Sequence, residues 1–523
     1  MLLELIQFVY YTTVLLLFRI VYFVFRKSEK LPPLGPGTEV LKCSATEISK
    51  RIRKEEISSV EVVQCFIRRA KAVNKVVNGL AEERFADALE EAAMIDEMIR
   101  NGSAPSLDQA PFLGVPVSIK ECISLKGMLN TAGLPARRGL RATEDAVVVE
   151  RLKAAGAIVL YSTNTSEMTA WWECYNNIYG QSRNPYDTRR TPGGSSGGEG
   201  AMISALASPL GIGSDAGGSV RMPACFCGIF GHKPTQGSVP SKDKCLEMAA
   251  PQEALHTFGP LCRKVQDLRP ALRVIMEECP ARIKLQSKAN LRNVKFYYME
   301  TIKSRKICPL NREVKKSMAT VIDYLEQTYD VSCIRVDLPL MKEAFWIWIN
   351  EVGYEGAPTA MQFFSDFKGS FNPVAEIFRW IVGKSEHTPP ALIFCFFDRV
   401  MATLTKLQLL SPERRGMMRR NREVLTRQLH QLLSGNAVLL MPTHPTTAPY
   451  HYQPLFTPFN HSYCTVFNCA GLPVTQCPIG LDSNNLPLGI QIVAGMDNDY
   501  LSISVAEEIT KAFGGHPTKP LIY

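Results

Sequence analysis

The feature that most constrains this fold is a glycine- and serine-rich stretch enclosed by apolar sequence. It occupies residues 191–200 and 211–219, and the neighbouring residues 201–206 and 209–212 have the composition of a protein core. A glycine inside regular structure costs roughly 0.5–1 kcal/mol, so a packed chain does not accumulate glycines without a reason. A flexible linker fits poorly because core sequence lies directly beside the glycines. We therefore expect backbone with unusual dihedral angles, or a close approach to another group, in this stretch.

The rest of the chain alternates between strand and helix patterns. The sequence Ser44-Ala-Thr-Glu47 is typical of a capping box at a helix start, and Gly156 ends a later helical pattern. Strands separated by helices predict an α/β fold with a largely buried, mixed central sheet flanked by helices. The predicted strands cover residues 113–119, 157–161, 294–298, 331–336, 437–441 and 488–493, and the predicted helices cover 44–71, 84–100, 145–155, 264–276, 313–327 and 412–433.

The N-terminal segment is the one long apolar run. Residues 5–25 carry a single charge, Arg19, and spanning a bilayer takes about 20 such residues. A cleaved signal peptide would need a basic start and a small-x-small cleavage site. Because Arg26 and Lys27 follow the run instead, the sequence predicts a transmembrane anchor over residues 1–27. A stiff linker over 28–43 and one large domain over 44–523 follow, with the orientation of that domain left open.

Charge and cysteine content exclude several classes of protein. The formal net charge of +9 is modest for 523 residues, and no basic cluster is interleaved with base-stacking aromatics, so no nucleic-acid partner is predicted. The 15 cysteines are scattered. Cys225 and Cys227 are too close together, and too isolated, for a structural zinc site. We expect reduced, mostly buried cysteines and no metal.

Two kinds of hydrolase could use the glycine–serine stretch. Gly193-Gly-Ser-Ser-Gly197 satisfies the nucleophile-elbow pattern G-x-S-x-G, which needs a preceding strand and an acid–histidine pair. Residues 184–192 are turn-like instead, and the candidate bases His444, His451 and His461 lie among prolines without an evident acid partner. A phosphate-binding loop is excluded because no lysine follows the glycines.

The second explanation comes from longer motifs, which resemble the amidase signature family over nearly everything from residue 44 onward. An upstream segment, Gly114-Val-Pro-Val-Ser-Ile-Lys120, and the downstream residues 471–478 and 487–492 belong to the same resemblance. The central motifs are Gly193-Gly-Ser-Ser-Gly-Gly198, Gly211-Ile-Gly-Ser-Asp-Ala-Gly-Gly-Ser-Val-Arg-Met-Pro223 and Gly228-Ile-Phe-Gly-His-Lys-Pro-Thr235. The resemblance implies a single large amidase-signature domain that hydrolyses amides without a metal or organic cofactor.

The resemblance also implies a role for each matched residue. Ser219 is the nucleophile, Ser195 relays its proton, and Lys120 is the base. A lysine must be neutral to act as a base, so burial has to lower its pKa from about 10.4. The remaining matched positions are the backbone N–H groups of Ala216, Gly217, Gly218 and Ser219 as the oxyanion hole, Ser196 as a hydrogen-bonding support, and Asp215 and Arg221 as residues that hold the loop.

The substrate prediction depends on a dense aromatic region between Phe345 and Phe397. Ordinary core is one explanation, and an acyl-chain channel with a membrane-facing cap, as in lipid amidases of this family, is the other. Together with the anchor, the aromatics predict a fatty-amide substrate and a single-pass protein of the endoplasmic reticulum or lipid droplets. Short or non-lipid amides, and a non-catalytic membrane scaffold that keeps the fold, stay as alternatives. The state of assembly stays open, with a homodimer among the options.

Overall fold

A computed structural model describes residues 2–241, 250–353, 358–368, 371–406 and 412–517, so the last six residues of the predicted domain lie outside the described part. Short strands and many helices alternate along the chain, as predicted. The strands are β1 Leu80–Glu83, β2 Pro116–Lys120, β3 Ile158–Thr163, β4 Tyr175–Asn176, β5 Gly180–Gln181, β6 Leu210–Asp215, β7 Phe230–Lys233, β8 Thr257–Cys262, β9 Lys295–Tyr298, β10 Cys333–Arg335, β11 Ala437–Pro442, β12 Val474–Leu481 and β13 Pro487–Ala494.

Helices pack against the strands of the sheet and against one another. The helices are α1 Leu2–Phe25, α2 Ala45–Arg53, α3 Ser59–Val77, α4 Phe85–Arg100, α5 Val147–Ala154, α6 Gly197–Ser204, α7 Arg221–Phe226, α8 Ala250–Glu253, α9 Leu268–Ile275, α10 Pro280–Lys284, α11 Arg312–Tyr329, α12 Ala344–Val352, α13 Ala360–Phe364, α14 Pro373–Ile381, α15 Pro389–Lys406, α16 Pro412–Leu432, α17 Ser462–Cys469 and α18 Asp499–Phe513.

Eleven strands form one mixed sheet in the order β1-β3-β2-β6-β8-β7-β12-β13-β11-β9-β10. Strand β2 runs parallel to both β3 and β6, while β6, β8, β7, β12 and β13 pair antiparallel in sequence through the middle of the sheet. The predicted α/β fold with a mixed, buried sheet is therefore confirmed. The parallel arrangement of β2 and β6 matters most, because it brings their carboxyl ends to the same edge.

The first predicted helix divides in two. Ser44 caps α2 through a capping box with Glu47, as predicted, and a second capping box of Ser58 and Glu61 starts α3. Glu55, between the two helices, has a φ of 56°, which an α-helix cannot contain. The break between α2 and α3 is thus set by local backbone and a second cap.

Helix α1 lies against the domain. The Gln7 side chain donates to the carbonyl oxygens of Ser304 and Ile307, and the Tyr22 hydroxyl donates to that of His451. The Tyr22 ring also stacks on Tyr450 with centroids 5.1 Å apart. Within the ranges that the structure describes, no helix is both long enough and apolar enough to cross a membrane, which leaves the predicted transmembrane helix without support.

The predicted aromatic region is divided between core and surface. Trp346 and Trp348 of α12 pack against a buried cluster that includes Met341 and Tyr463. Phe364 of α13 belongs to a smaller cluster with residues of α15. Helices α14 and α15 carry exposed apolar side chains on their outer faces: Val374, Phe378, Trp380, Ile381, Ile393, Phe396, Phe397 and Val400. We call α14 and α15 the apolar cap.

Candidate active site

Two parallel strands deliver the predicted catalytic segments to one place. Lys120 is the last residue of β2, and Asp215 is the last residue of β6. The register pairs Ser118 with Gly211 and Ile119 with Ile212, so the strands run side by side to this edge. Ligands of α/β sheets bind beyond such carboxyl ends. The loop 216–219 continues from β6 at this point.

Lys120 is fully buried and points at two hydroxyls. Its Nζ donates to Ser195 Oγ at 2.6 Å and to Ser214 Oγ at 2.8 Å. Burial lowers the pKa of Lys120, against an opposing influence of nearby groups that include Cys122, Asp215 and Glu199. This direction is the one that a lysine base requires. Ser214 did not emerge from the sequence, because its contact with Lys120 depends on the pairing of β6 with β2.

The serine pair lies where three chain segments meet. Ser195 is buried, and the peptide bond between Gly194 and Ser195 is cis. The Ser196 N–H donates to Ser219 O at 3.2 Å. The Ser196 hydroxyl donates to Ser214 O and accepts from Ser214 N–H, both at 3.3 Å. Ser196 therefore connects the start of α6 to β6 and to the loop after it. The described contacts contain no hydrogen bond between the hydroxyls of Ser195 and Ser219.

Close approach explains the glycines that start α6. A Cβ atom at Gly198 would lie 2.5 Å from both the backbone N and the backbone O of Asn164, and one at Gly213 would lie 2.8 Å from Ser196 Oγ. Gly218 has a φ of +116°, which side chains rarely adopt. The sequence-based expectation of close approaches and unusual dihedral angles in this stretch is confirmed.

Asp215 organises the loop that carries Ser219. Its carboxylate accepts from the N–H groups of Gly218 at 2.7 Å and Val220 at 3.1 Å. Two guanidinium hydrogen bonds from Arg221, each at 3.0 Å, complete a fully buried ion pair. Burial alone would raise the pKa of Asp215, but the charge of Arg221 and its hydrogen bonds hold that pKa well below its usual range.

The same contacts reduce the number of N–H groups that are available to the predicted oxyanion hole. The Gly218 N–H points at Asp215 and is not available to a substrate. The N–H groups of Ala216, Gly217 and Ser219 make no hydrogen bond to any other described residue. Ala216 and Ser219 are also partly exposed in a neighbourhood that is otherwise buried. Three of the four predicted donors are thus free to bind a developing oxyanion.

Glu199 is a buried carboxyl that the sequence did not single out. Its oxygens accept from Ser118 Oγ at 2.6 Å and Thr163 Oγ1 at 2.8 Å. A Cβ atom at Gly211 would collide with the Glu199 carboxylate, which explains that glycine. Burial raises the pKa of Glu199 to about 7, while both hydrogen bonds and the charge of Lys120 lower it. Glu199 therefore titrates close to neutral pH.

The histidines do not take the place of the lysine. His451 does have a buried acid partner, since its Nδ1 lies 2.8 Å from Glu173, and the expectation that it lacks one is wrong. However, Nε2 of His451 and Nε2 of His444 have no hydrogen-bond partner in the part of the chain that the structure describes. The group that contacts the Ser195 hydroxyl is Lys120. Among the described residues, His444 and His451 therefore form no serine–histidine–acid relay with Ser195.

Comparison with known proteins identifies the family and the fold. The Amidase family matches residues 61–501. The chain is 40% identical to fatty-acid amide hydrolase 2 of Homo sapiens over 490 residues, which is 92% of this chain and 91% of that protein. A solved fatty acid amide hydrolase structure superposes with a TM-score of 0.73 at 20% identity, covering 92% of this chain and 87% of the other. Substrate-bound 6-aminohexanoate cyclic dimer hydrolase superposes with a TM-score of 0.71 at 22% identity, covering 92% and 100%.

The family match covers most of the chain, and the full-length relative is well above 30% identical. The two solved structures establish the shared fold. This chain therefore belongs to the amidase signature family and is an amide-hydrolysing enzyme with that family's Ser-Ser-Lys triad.

Proposed function

We propose that this enzyme is a membrane-associated serine hydrolase that cleaves fatty-acid primary amides or N-acyl amides through an acyl-enzyme on Ser219. The observation that carries the catalytic part is the 2.6 Å hydrogen bond from buried Lys120 to Ser195. A serine hydroxyl is a poor nucleophile until a base removes its proton. A lysine with a lowered pKa, joined to a serine relay, supplies that base.

The proposed reaction has two steps. Ser219 Oγ bonds to the amide carbon while its proton passes to Ser195 and the Ser195 proton passes to Lys120. The carbon–nitrogen bond then breaks as Lys120 returns a proton through Ser195 to the departing nitrogen. Water then attacks the carbonyl carbon of the ester while its proton passes to the same relay. The bond between that carbon and Ser219 Oγ breaks, the relay returns the proton to Ser219 Oγ, and the fatty acid is released. The N–H groups of Ala216, Gly217 and Ser219 are the proposed donors to the oxyanion of each step.

Two findings support a lipid substrate. The chain is similar to fatty-acid amide hydrolase 2 over 92% of its length. Apolar side chains are exposed on two helices: Phe23 and Phe25 of α1 are 80% and 78% exposed, and Phe378 and Ile381 of α14 are 66% and 65% exposed. Exposed apolar surface of this kind marks an interaction with a membrane or another apolar partner. We propose that α1 and the apolar cap bind the membrane of the endoplasmic reticulum or of lipid droplets.

Activity-based labelling tests the proposal most directly. A fluorophosphonate probe is expected to label the wild-type enzyme and to leave Ser219→Ala unlabelled. Labelled Ser219→Ala would show that another serine is the nucleophile, and an unlabelled, inactive wild type would favour the scaffold alternative. Hydrolysis of a long-chain fatty-acid primary amide is expected to exceed hydrolysis of acetamide. The reverse preference would assign the enzyme to short amides.

A further inference from the structure

Each proposed oxyanion donor belongs to a peptide group whose carbonyl points the other way. A trans peptide group is planar, so its N–H and the C=O of the preceding residue are directed oppositely. Whatever binds that carbonyl therefore sets the direction of the N–H. The carbonyls that matter are those of Asp215, Ala216 and Gly218, which precede the donors Ala216, Gly217 and Ser219.

All three carbonyls accept a hydrogen bond. Asn468 Nδ2 donates to Asp215 O at 3.2 Å. The N–H of Met222, at the start of α7, donates to Gly218 O at 2.8 Å. Trp348 Nε1 donates to Ala216 O at 2.7 Å, the shortest of the three. A carbonyl that accepts a hydrogen bond also polarises its peptide group, which makes the opposite N–H a better donor.

Trp348 differs from the other two hydrogen-bond donors in the kind of helix that carries it. Asn468 and Met222 come from buried helices, α17 and α7, whereas Trp348 is half-buried on α12, in the predicted acyl-binding aromatic region. Its ring covers Gly217 so closely that a Cβ atom there would lie 3.3 Å from the indole. The Trp348 ring also makes an edge-to-face contact with His461, with centroids 5.2 Å apart and planes at 88°. This second contact restricts the position of the indole.

We propose that Trp348 is a positioning residue for the oxyanion hole: its indole N–H holds the peptide group between Ala216 and Gly217 so that the Gly217 N–H faces the reacting carbonyl. This inference rests on the proposed function. It links the helix that would contact the acyl chain to the stabilisation of charge in the transition state. An acyl chain that binds along α12 and contacts the Trp348 ring thereby affects the rate of hydrolysis as well as the affinity for the substrate.

Two substitutions separate the indole N–H from the bulk of the ring. Trp348→Phe removes the donor and part of the ring, and replacement of Trp348 by 3-benzothienylalanine puts sulfur in place of N–H while keeping the shape. Both are expected to lower kcat by about 10- to 100-fold, because a misdirected oxyanion donor loses part of its effect. The benzothienyl variant keeps the shape of the ring and is therefore expected to leave the affinity for the fatty-acid product unchanged, since the product carries no tetrahedral oxyanion.

The readout specific to positioning is the affinity for a trifluoromethyl ketone with the substrate's acyl chain, which bonds to Ser219 Oγ and places an oxyanion in the hole. That affinity is expected to fall by the same factor as kcat/KM. Trp346→Phe, on the same helix, is the matched control and is expected to keep the wild-type ratio of ketone to fatty-acid affinity. A benzothienyl variant with wild-type kcat and ketone affinity would overturn the inference. A wild type that neither hydrolyses amides nor binds the ketone would instead overturn the proposed function.

Discussion

The catalytic centre and the apolar cap depart from the usual distribution of side chains in opposite ways, since the centre buries charged groups and the cap exposes apolar ones. The centre buries Lys120, Glu199, Asp215 and Arg221, four ionisable side chains that are fully enclosed. The cap, at the outside, exposes large apolar side chains such as that of Ile381. Buried charges cost several kcal/mol each unless they are well partnered, and exposed apolar patches favour association. Sequences normally avoid both, and exceptions concentrate at functional regions.

The catalytic centre and the apolar cap are also stabilised by different kinds of contact. In the centre, each charged group makes hydrogen bonds with buried side chains or backbone, as Asp215 does with Arg221 and Gly218. In the segment that carries the cap, a small apolar cluster is joined by two polar contacts, of His387 with Glu167 at 2.6 Å and of Arg137 with Asp366 at 2.5 Å. Substitutions in the centre should therefore change chemistry and stability, and substitutions in the cap should change membrane binding.

The largest expected effect is on chemistry. Lys120→Ala removes the base and the return of a proton to the leaving nitrogen, so amide hydrolysis is expected to fall by about 10⁴-fold. The loss on a matched ester is expected to be smaller, because an alkoxide leaves more readily than an amide nitrogen without protonation. Steady-state rates on the two substrates give the comparison. Lys126→Ala, at an exposed position on the following loop, is the control. Equal losses on amide and ester would contradict the proposed proton relay.

The next effect is on stability. Asp215→Asn keeps the shape of the side chain but leaves Arg221 buried without its charge partner, which is expected to lower the free energy of unfolding by about 3–5 kcal/mol. Glu29→Gln is the contrasting variant, because the ion pair of Glu29 with Arg183 is 2.9 Å long but lies at the protein surface. Its expected cost is about 0–1 kcal/mol. Denaturant unfolding measures both. Similar costs would mean that the buried pair holds the loop no better than a surface pair.

Glu199 gives the centre a stability that depends on pH. Because its folded pKa of about 7 lies above the ordinary 4.5, the native state binds more protons than the unfolded state between these values. Stability therefore falls as pH rises through this window, by about 3 kcal/mol in total. Glu199→Gln removes this dependence, so its stability relative to the wild type is expected to increase from about pH 5 to about pH 8.

The same variant tests the coupling of Glu199 to the base. The Glu199 carboxylate raises the pKa of Lys120, in opposition to burial. With the carboxylate gone, the pKa of Lys120 falls further and the acidic limb of the kcat/KM profile is expected to move to lower pH. Ser118→Ala, which removes a hydrogen-bond donor but no charge, should move this limb less. A limb that stays in place would show that Lys120 does not feel the buried carboxylate.

The sequence predicted the centre far better than the cap, and the reason is physical. Lys120 and Ser195 lie in long motifs that resemble the amidase signature family, and that resemblance predicted their contact. Ser214 reaches Lys120 only through the register of two strands, and β6, with its two glycines, does not have the pattern of a strand. Trp348 contacts a residue 132 positions away in the chain. Such partners are chosen by tertiary packing, which local patterns do not contain.

The aromatic region between Phe345 and Phe397 was predicted only as a choice between ordinary core and an acyl-chain channel with a membrane-facing cap, because aromatic residues suit both. Trp348 belongs to the first alternative and also touches the catalytic loop, while Phe378 is 66% exposed, as the second requires. The N-terminal segment had the same ambiguity. Its apolar run predicted a separate anchor, but the polar groups of Gln7 and Tyr22 bind backbone carbonyls of the domain. Composition alone could not show which face of each helix would be covered.

The smallest expected effect isolates the cap. Ile381→Asp on α14 and Ile283→Asp on α10 make the same change at side chains that are 65% and 69% exposed. Both are expected to leave stability within about 0.5 kcal/mol, as surface substitutions usually do. Burial of one isoleucine side chain in a bilayer is worth about 1.5–3 kcal/mol, so Ile381→Asp alone is expected to weaken binding to anionic phospholipid vesicles by at least about tenfold. Vesicle co-sedimentation measures the binding.

Hydrolysis of a vesicle-embedded long-chain amide by Ile381→Asp should fall together with vesicle binding, while hydrolysis of acetamide stays constant, because the chemistry occurs in the buried centre. Equal losses of binding for the two variants would mean that the cap is not the membrane surface.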